Sequence, residues 1–417
     1  MSAYQLVDSL AVAHRKSSRD KRLVSGLLML PLLAYTAFFF LLPIGLMLYR
    51  AVANPELIQA FPQAIAALER EAPQPDGVPS EAVLRALEND FRDARSIGPM
   101  GEAARRLNYE NSGYRFLVMS AARQYRGKPA PADSDTRSAR QRLADLDPRW
   151  VEPEFWRAFE RASVPFTSYY LLAALDLQQT DDGIQPVSED KRVYLDLTLK
   201  TLKIAFIVSL ACLLLGFPYA ALMVRAGPLL RGLLFLAVML PFWTSLLART
   251  TAWIVVLQDQ GIVNGLLLRL GLIDQPLHLV FNSLGVYIVM VHILLPFTVL
   301  PLYNVMKSIP AHYLRASASL GAHPVKGFVH VYLPMTLTGI GSGTLLTFII
   351  AAGYYVTPTL VGSAREQMLG YFIAFYTNTT VNWGMASALG IVLILCVMVI
   401  YLLAARLVGI RQIAGLR

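Results

Sequence analysis

Two polar groups sit deep in apolar stretches of this 417-residue chain, and a polar segment lies between two further such stretches. Arg249, in LPFWTSLLARTTAW, is the only charge well inside a long apolar run, and His292, in VHILLPF, is the other group there able to titrate near neutrality. A charge in hydrocarbon costs at least about 2.5 to 3.5 kcal/mol unless it is paired or hydrated. Two roles stand open for Arg249: snorkelling or bonding to helix carbonyls, or lining a path across the membrane. For His292 they are an interhelical hydrogen bond or contact with a solute. The polar segment is RASASLGAHPVKGFVHVYLP, Arg315 to Pro334. Hydrolytic chemistry is not written in the chain. It has no G-x-x-x-x-G-K-[ST] loop for nucleotide, no H-E-x-x-H, no G-x-S-x-G and no clustered Cys/His set, so neither a catalytic centre nor a metal site is expected. No acidic residue falls inside an apolar run, which argues against a carboxylate proton relay.

The elements around these residues are membrane helices. Apolar residues make up 55% of the chain and charged residues 16%, the balance of an integral membrane protein. Six stretches can cross a hydrocarbon core of about 30 Å, which takes roughly 20 helical residues. They are Leu27 to Leu48, Ile204 to Val224, Gly232 to Leu257, Leu284 to Val305, Leu337 to Leu360 and Ala386 to Leu407. The first, at about 22 residues, exceeds the 7 to 15 of a signal-peptide core and is expected to remain as an anchor. Prolines recur in these runs at Pro43, Pro218, Pro241, Pro296, Pro301 and Pro358, as in packed, kinked bundles.

Residues 51–195, between the first two runs, hold 22 of the 28 acidic residues but only 18 of the 37 basic ones. The remaining basic residues sit at the ends of apolar runs, not in one stripe, so they report membrane topology and not nucleic acid. Arg15, Lys16, Arg19, Lys21 and Arg22 precede the first run, Arg225 and Arg231 flank the next turn, Lys307, Arg315 and Lys326 lie between the fourth and fifth runs, and Arg406, Arg411 and Arg417 end the chain. The opposite short loops offer Arg269 and Arg365, while Lys200 and Lys203 count mildly against the pattern. Both termini (the first being a tail over 1–26) and the polar segment are therefore expected on the cytoplasmic face.

The 51–195 insert is then extracytoplasmic, and is large enough to own a core. It reads as helical: in SEAVLRALENDFRDA, Ser80 is an N-cap candidate and Leu84, Leu87 and Phe91 recur at helical spacing. In WVEPEFWRAF, Trp150, Phe155, Trp156 and Phe159 form either a core helix or a binding face. Cys212 and Cys396 fall in apolar runs and the insert has no cysteine, so no disulfide framework is expected.

In the polar segment, Ser308 and Pro310 mark a helix start, Gly321 a left-handed stop and Pro324 a second start. Val325, Phe328, Val329 and Tyr332 then fall on one apolar stripe, with Lys326 and His330 elsewhere. The register resembles the cytoplasmic signature of the membrane subunits of binding-protein-dependent ABC importers, E-A-A-x-x-x-G, nine residues, I-x-L-P. Here the positions read Arg315, Ala316, Ser317 and Gly321, then Val331, Tyr332, Leu333 and Pro334; arginine stands where the signature has glutamate. Leu240 to Trp253, Leu294 to Asn304 and Tyr354 to Gly362 resemble further blocks of the spermidine/putrescine-type branch, over about 240 residues in all. The large insert has no counterpart in compact members.

The resemblance implies an all-α integral membrane protein of six transmembrane helices with a mainly helical extracytoplasmic insert, a permease of the bacterial inner membrane. Its expected layout is 27–48 as the first helix and 196–417 as the permease core. Loop 307–334 would meet a cytoplasmic ATPase dimer through Arg315, Ala316, Ser317, Gly321, Val325, Phe328, Val331, Leu333 and Pro334, with Pro334 fixing where the fifth helix begins. Such a permease is not an enzyme and binds no cofactor, because ATP belongs to the partner. A second permease, a solute-binding protein and membrane lipid complete the expected partners. Trp243, Arg249, His292, Tyr303 and Asn304 are pathway or interhelical candidates, and the solute is polar and small, polyamine-like by branch. The alternatives are an exporter-type permease with a large outer domain, usually with four spans, and a membrane sensor or scaffold without an ATPase.

Overall fold

The computed structural model describes residues 27–72, 74–93, 97–129, 136–180 and 183–408. The expected tail 1–26, with its five basic residues, and Arg411 and Arg417 lie outside the described residues. The chain divides after Ser168 into two units.

The first unit begins with α1 (Leu27–Arg50), whose side chains are almost all exposed. A π turn over Ala37–Leu41 precedes Pro43, and this wider turn gives the ring room where a regular turn would drive it into the carbonyl four residues back. The insert follows as α2 (Glu56–Ala60), α3 (Pro62–Leu68), α4 (Glu81–Arg92), α5 (Ile97–Glu110), α6 (Tyr114–Tyr125), α7 (Ala139–Leu146) and α8 (Pro153–Ser163). Ser80 occupies the N-cap position of α4, but its hydroxyl donates to Glu71 at 2.7 Å instead of capping. Leu84, Leu87 and Phe91 are buried, and so are Trp150, Phe155, Trp156 and Phe159, which makes the aromatic-rich run core and not a binding face.

The two ends of the insert are tied together. Thr167 N–H donates to the Val52 carbonyl (2.8 Å) and Asn54 N–H to that of Pro165 (3.0 Å). The buried Asn54 amide donates to the carbonyls of Ala162 (2.7 Å) and Val164 (2.8 Å) and accepts from Arg106 (3.0 Å). A domain whose ends meet can sit in a loop without distorting what flanks it. The tie closes at Thr167, so the expected boundary at residue 195 is too late. The error has a physical source: residues 176–192 are mostly polar and read as part of the insert, whereas 169–195 belong to the second unit.

Inside the insert, buried Glu88 accepts from Tyr125 (2.9 Å) and from Arg142 through both oxygens (2.9 and 2.8 Å). Removing one member of such a network costs on the order of 3 to 5 kcal/mol, because its partners stay desolvated. Asp90, also buried, accepts the first amides of α3, from Gln63 (3.2 Å) and Ala64 (2.8 Å).

The second unit opens with α9 (Tyr169–Ala173) and an antiparallel ribbon, β1 (Leu177–Thr180) and β2 (Gly183–Pro186), in register Leu177 to Pro186 and Thr180 to Gly183. Asp176 adopts φ 53° and accepts from the amides of Val193 (3.2 Å), Tyr194 (3.1 Å) and Leu195 (2.8 Å). Three donors at the start of α10 (Tyr194–Arg225) are thus satisfied by one carboxylate, with the helix dipole in its favour.

The membrane helices continue as α11 (Pro228–Trp243), α12 (Leu246–Leu257), α13 (Ile262–Arg269), α14 (Ser283–Ser308), α15 (His312–Ser319), α16 (Pro324–Ala352), α17 (Val356–Val361), α18 (Leu369–Asn378) and α19 (Trp383–Val408). Among the described residues six helices are long and apolar enough to cross a membrane, α12 and α13 counting together. The expected third span, Gly232 to Leu257, is not one helix: it breaks at Thr244 and Ser245, just after Pro241. The fifth, expected from Leu337, starts at Pro324, because a π turn over Phe328–Tyr332 carries the helix through Pro334 as the one in α1 does before Pro43. Pro334 therefore does not begin that span.

Helices α10, α14 and α16 share one core, with Val208, Cys212, Val289, Met290, Phe348 and Ala351 buried in it. A Cβ at Gly343 would lie 2.9 Å from the Thr298 carbonyl oxygen, and one at Gly339 3.0 Å from the Val305 side chain. This Gly-x-x-x-Gly pair lets the α14 and α16 backbones approach, and the Thr298 and Thr347 hydroxyls bond at 2.6 Å beside it.

Burial pushes the Asp90 carboxyl from its ordinary 3.8 to about 6, partly offset by its two amide bonds and reinforced by the Asp93 charge. A raised folded pKa means that the folded state binds the proton more tightly. This group's contribution is therefore fully present below about pH 4 and lost as pH rises through 6, on the order of 3 kcal/mol at 1.36 kcal/mol per pKa unit. Asp90→Asn is expected to flatten the pH dependence of the unfolding midpoint between pH 4 and 6, followed through Trp150 and Trp156 fluorescence; an unchanged dependence refutes the assignment.

Candidate functional site

The polar segment hangs between α14 and α16. Ser308 does not start a helix; its hydroxyl bonds back to the Val305 carbonyl (2.8 Å) at the end of α14, and α15 starts at His312. Gly321, at φ 79°, ends α15. Its amide donates to the Ala318 carbonyl (3.0 Å) and that of Ala322 to Ser317 (3.1 Å), the paired bonds of a Schellman turn. His323 Nδ1 accepts from the Val325 amide (3.4 Å), capping α16 ahead of Pro324. A Cβ at Gly327 would lie 2.9 Å from Ser317 Oγ, so α15 rests directly on the first turn of α16.

The π turn splits the expected apolar stripe. Phe328 and Tyr332 stack at 5.9 Å, and Phe328 meets Phe217 of α10 edge-on at 6.1 Å. Val325 and Val329 stay exposed, at 61% and 44%, and Leu320 is 88% exposed. Arg315 and Ala316 are exposed, Ser317, Val331 and Leu333 half-buried, and Pro334 exposed. Among the described residues Arg315 forms no ion pair, and Lys326 and His330 are likewise exposed. The segment thus offers exposed Leu320, Val325 and Val329, together with the cationic Arg315 and Lys326, on a short, well-fixed helix pair.

A second site lies within the helices. A cleft of about 360 Å³ is lined by Leu240, Thr244, Ala248, Arg249, Trp253 and His292. Arg249 donates through Nε to Thr244 Oγ1 (3.1 Å) and through Nη2 to the Thr244 carbonyl (2.7 Å), closing the end of α11. Arg231 does the same for α10, donating to the carbonyls of Met223 (3.1 Å) and Ala226 (2.8 Å). Trp253 Nε1 donates to His292 Nδ1 at 3.1 Å, which leaves the proton of the neutral imidazole on Nε2. Arg249 and His292 therefore share one cleft. Trp253 completes it and was not singled out in the sequence, although it lies four residues after Arg249 on the same helical face.

The other candidates lie apart from this cleft's lining. Trp243 is 85% exposed at the end of α11, Asn304 is exposed, and Tyr303 carries Lys307 over its ring at 5.6 Å.

The family model described as binding-protein-dependent transport system inner membrane component matches residues 198–410. The chain belongs to this family. It is 33% identical over 220 residues to the spermidine/putrescine transport system permease protein PotB of Escherichia coli (strain K12), covering 52% of this chain and 80% of that one. It is 35% identical over 192 residues to the inner membrane ABC transporter permease protein YdcU of the same organism, covering 43% and 59%. A chain of a crystallised bacterial alginate ABC transporter aligns with 17% identity and a TM-score of 0.41, over 51% of this chain and 79% of that one. The resemblance read from the signature and the three blocks therefore holds. The protein is a multi-pass inner membrane permease of the importer type, and the exporter and scaffold alternatives fall away.

In such a permease, the close approach at Gly343 sits on the two helices that carry the polar segment. Gly343→Ala is expected to overpack it by about 1 to 3 kcal/mol, lowering the unfolding midpoint of the purified protein. Gly353→Ala is the control, since its Cβ would meet nothing nearer than 3.8 Å. Equal behaviour of the two variants refutes the packing account.

Proposed function

We propose that this chain is one permease subunit of an ABC importer that passes a polyamine-like solute from an extracytoplasmic binding protein to the cytoplasm, powered by a separate ATPase dimer. Both termini and the 312–334 segment face the cytoplasm in this reading, the insert faces outward, and a second, related permease completes the pathway. One observation carries it: the exposed helix pair bearing Arg315 and Lys326 is suspended between α14 and α16, in the signature register, so a push on it reaches two membrane helices at once. The solute class rests on likeness to proteins named for spermidine and putrescine transport. Arg249 reads as structural in this proposal, because its guanidinium is held by Thr244 at the end of α11.

With arginine where the signature has glutamate, the cognate ATPase presents an acidic residue to Arg315. Arg315→Glu then places like charges together, and the solute-stimulated ATPase activity of the reconstituted transporter is expected to fall roughly tenfold, about 1.4 kcal/mol. Unchanged coupling sinks this contact. The solute is tested separately by thermal stabilisation of the cognate binding protein: spermidine or putrescine is expected to raise its midpoint, and stabilisation by anionic solutes alone contradicts the proposed class.

A further inference from the structure

The apolar run of α1, Leu27 to Leu48, is about 22 residues long, or roughly 33 Å at 1.5 Å per residue, so it fills a hydrocarbon core of about 30 Å with little to spare. Tyr49, directly after it, therefore falls in the head-group layer, which adds about 5 to 7 Å on each side. The insert is pinned at this level by its backbone. Thr167 N–H donates to the Val52 carbonyl (2.8 Å), Asn54 N–H donates to that of Pro165 (3.0 Å), and Ala53 pairs with Phe166 in an antiparallel bridge. Residues 164–167 thus run beside the end of α1, and the Phe166 ring meets the Tyr49 ring edge-on with centroids 6.2 Å apart. That separation is about one head-group layer, so Phe166 stays within or at the edge of the layer that holds Tyr49.

We propose that Val164, Pro165 and Phe166 form a foot that rests in the head-group layer and seats the insert on the bilayer. The aromatic core of the insert is buried, yet these three consecutive apolar residues are exposed, Phe166 at 60% and Val164 at 44%. The patch continues the apolar surface of α1, whose last turns expose Leu46 at 51%, Leu48 at 50% and Tyr49 at 56%, so the lipid that meets the end of the helix also meets the foot. None of the three side chains has a donor or an acceptor. Such residues suit the boundary between acyl chains and head groups, where apolar contact is gained and no hydrogen bond is demanded. Because backbone bonds fix the foot to the residues just after α1, the insert and this helix meet the membrane as one piece. The inference needs only that α1 spans the bilayer and is independent of the solute and of the side on which the insert lies.

The test uses the assembled transporter in phosphatidylcholine nanodiscs, with Cys212 and Cys396 replaced by serine and a nitroxide attached to the Phe166→Cys variant. Power saturation of the nitroxide compares its collisions with oxygen, which concentrates in lipid, and with a nickel chelate, which stays in water. The oxygen-to-nickel ratio is expected to be several-fold higher at 166 than for a label in the Arg85→Cys variant, at a charged and exposed position on α4. Val164→Cys gives the same reading should the first variant fail to assemble. Two results overturn the proposal: equal ratios at 166 and 85, which place the patch in water, or a label at 166 that neither reagent reaches, which places it against protein.

Discussion

The contact on which the rest of the permease depends is the approach of α14 to α16, where Gly343 lies against the Thr298 carbonyl and the Thr298 and Thr347 hydroxyls bond. In lipid there is no hydrophobic force to hold two helices together, because tails are as apolar as leucine; what remains is close packing and interhelical hydrogen bonding. Both are concentrated at this crossing. These are also the two helices between which the 312–334 segment is slung, so its two attachment points cannot slide freely past one another. A rigid clasp of this kind turns a small polar loop into a handle.

The handle is made stiff by local means. A Schellman turn at Gly321, a histidine cap at His323 and the seat of Gly327 under Ser317 fix the angle of α15 to α16. Elsewhere, Arg231 and Arg249 each reach back to the end of the preceding helix, where they bond the carbonyls of Met223 and Ala226 and of Thr244. The insert follows another logic. It has its own core of buried aromatics, and its two ends are joined by Asn54 and the Val52 to Thr167 bond.

Much of this was legible in the sequence. Length and hydropathy found six membrane helices, because a span needs about twenty apolar residues and little else does. The glycine, leucine and proline register located the polar segment. What escaped were features set by partners far away in the chain. The break after Trp243 is invisible to hydropathy because both halves are apolar. Pro334 read as a helix start because the π turn that absorbs it leaves no composition signal. Asp176 fell inside the expected insert, with nothing in its sequence neighbourhood to single it out, and its carboxylate holds the start of α10. Trp253 was hidden among apolar neighbours, although its spacing from Arg249 placed both on one face.

Held by that crossing, the segment and the α14–α16 pair are expected to move as one body when the transporter changes state. The most direct test is a distance measurement by double electron–electron resonance in a variant with Cys212 and Cys396 replaced by serine. Spin labels at exposed Leu320 and Leu284 report the segment and the far end of α14. The distance between them within one chain is expected to stay constant on ATP binding, while the distance from Leu320 to a label on the second permease changes. A shift in the distance within the chain, with the second distance fixed, contradicts the claim.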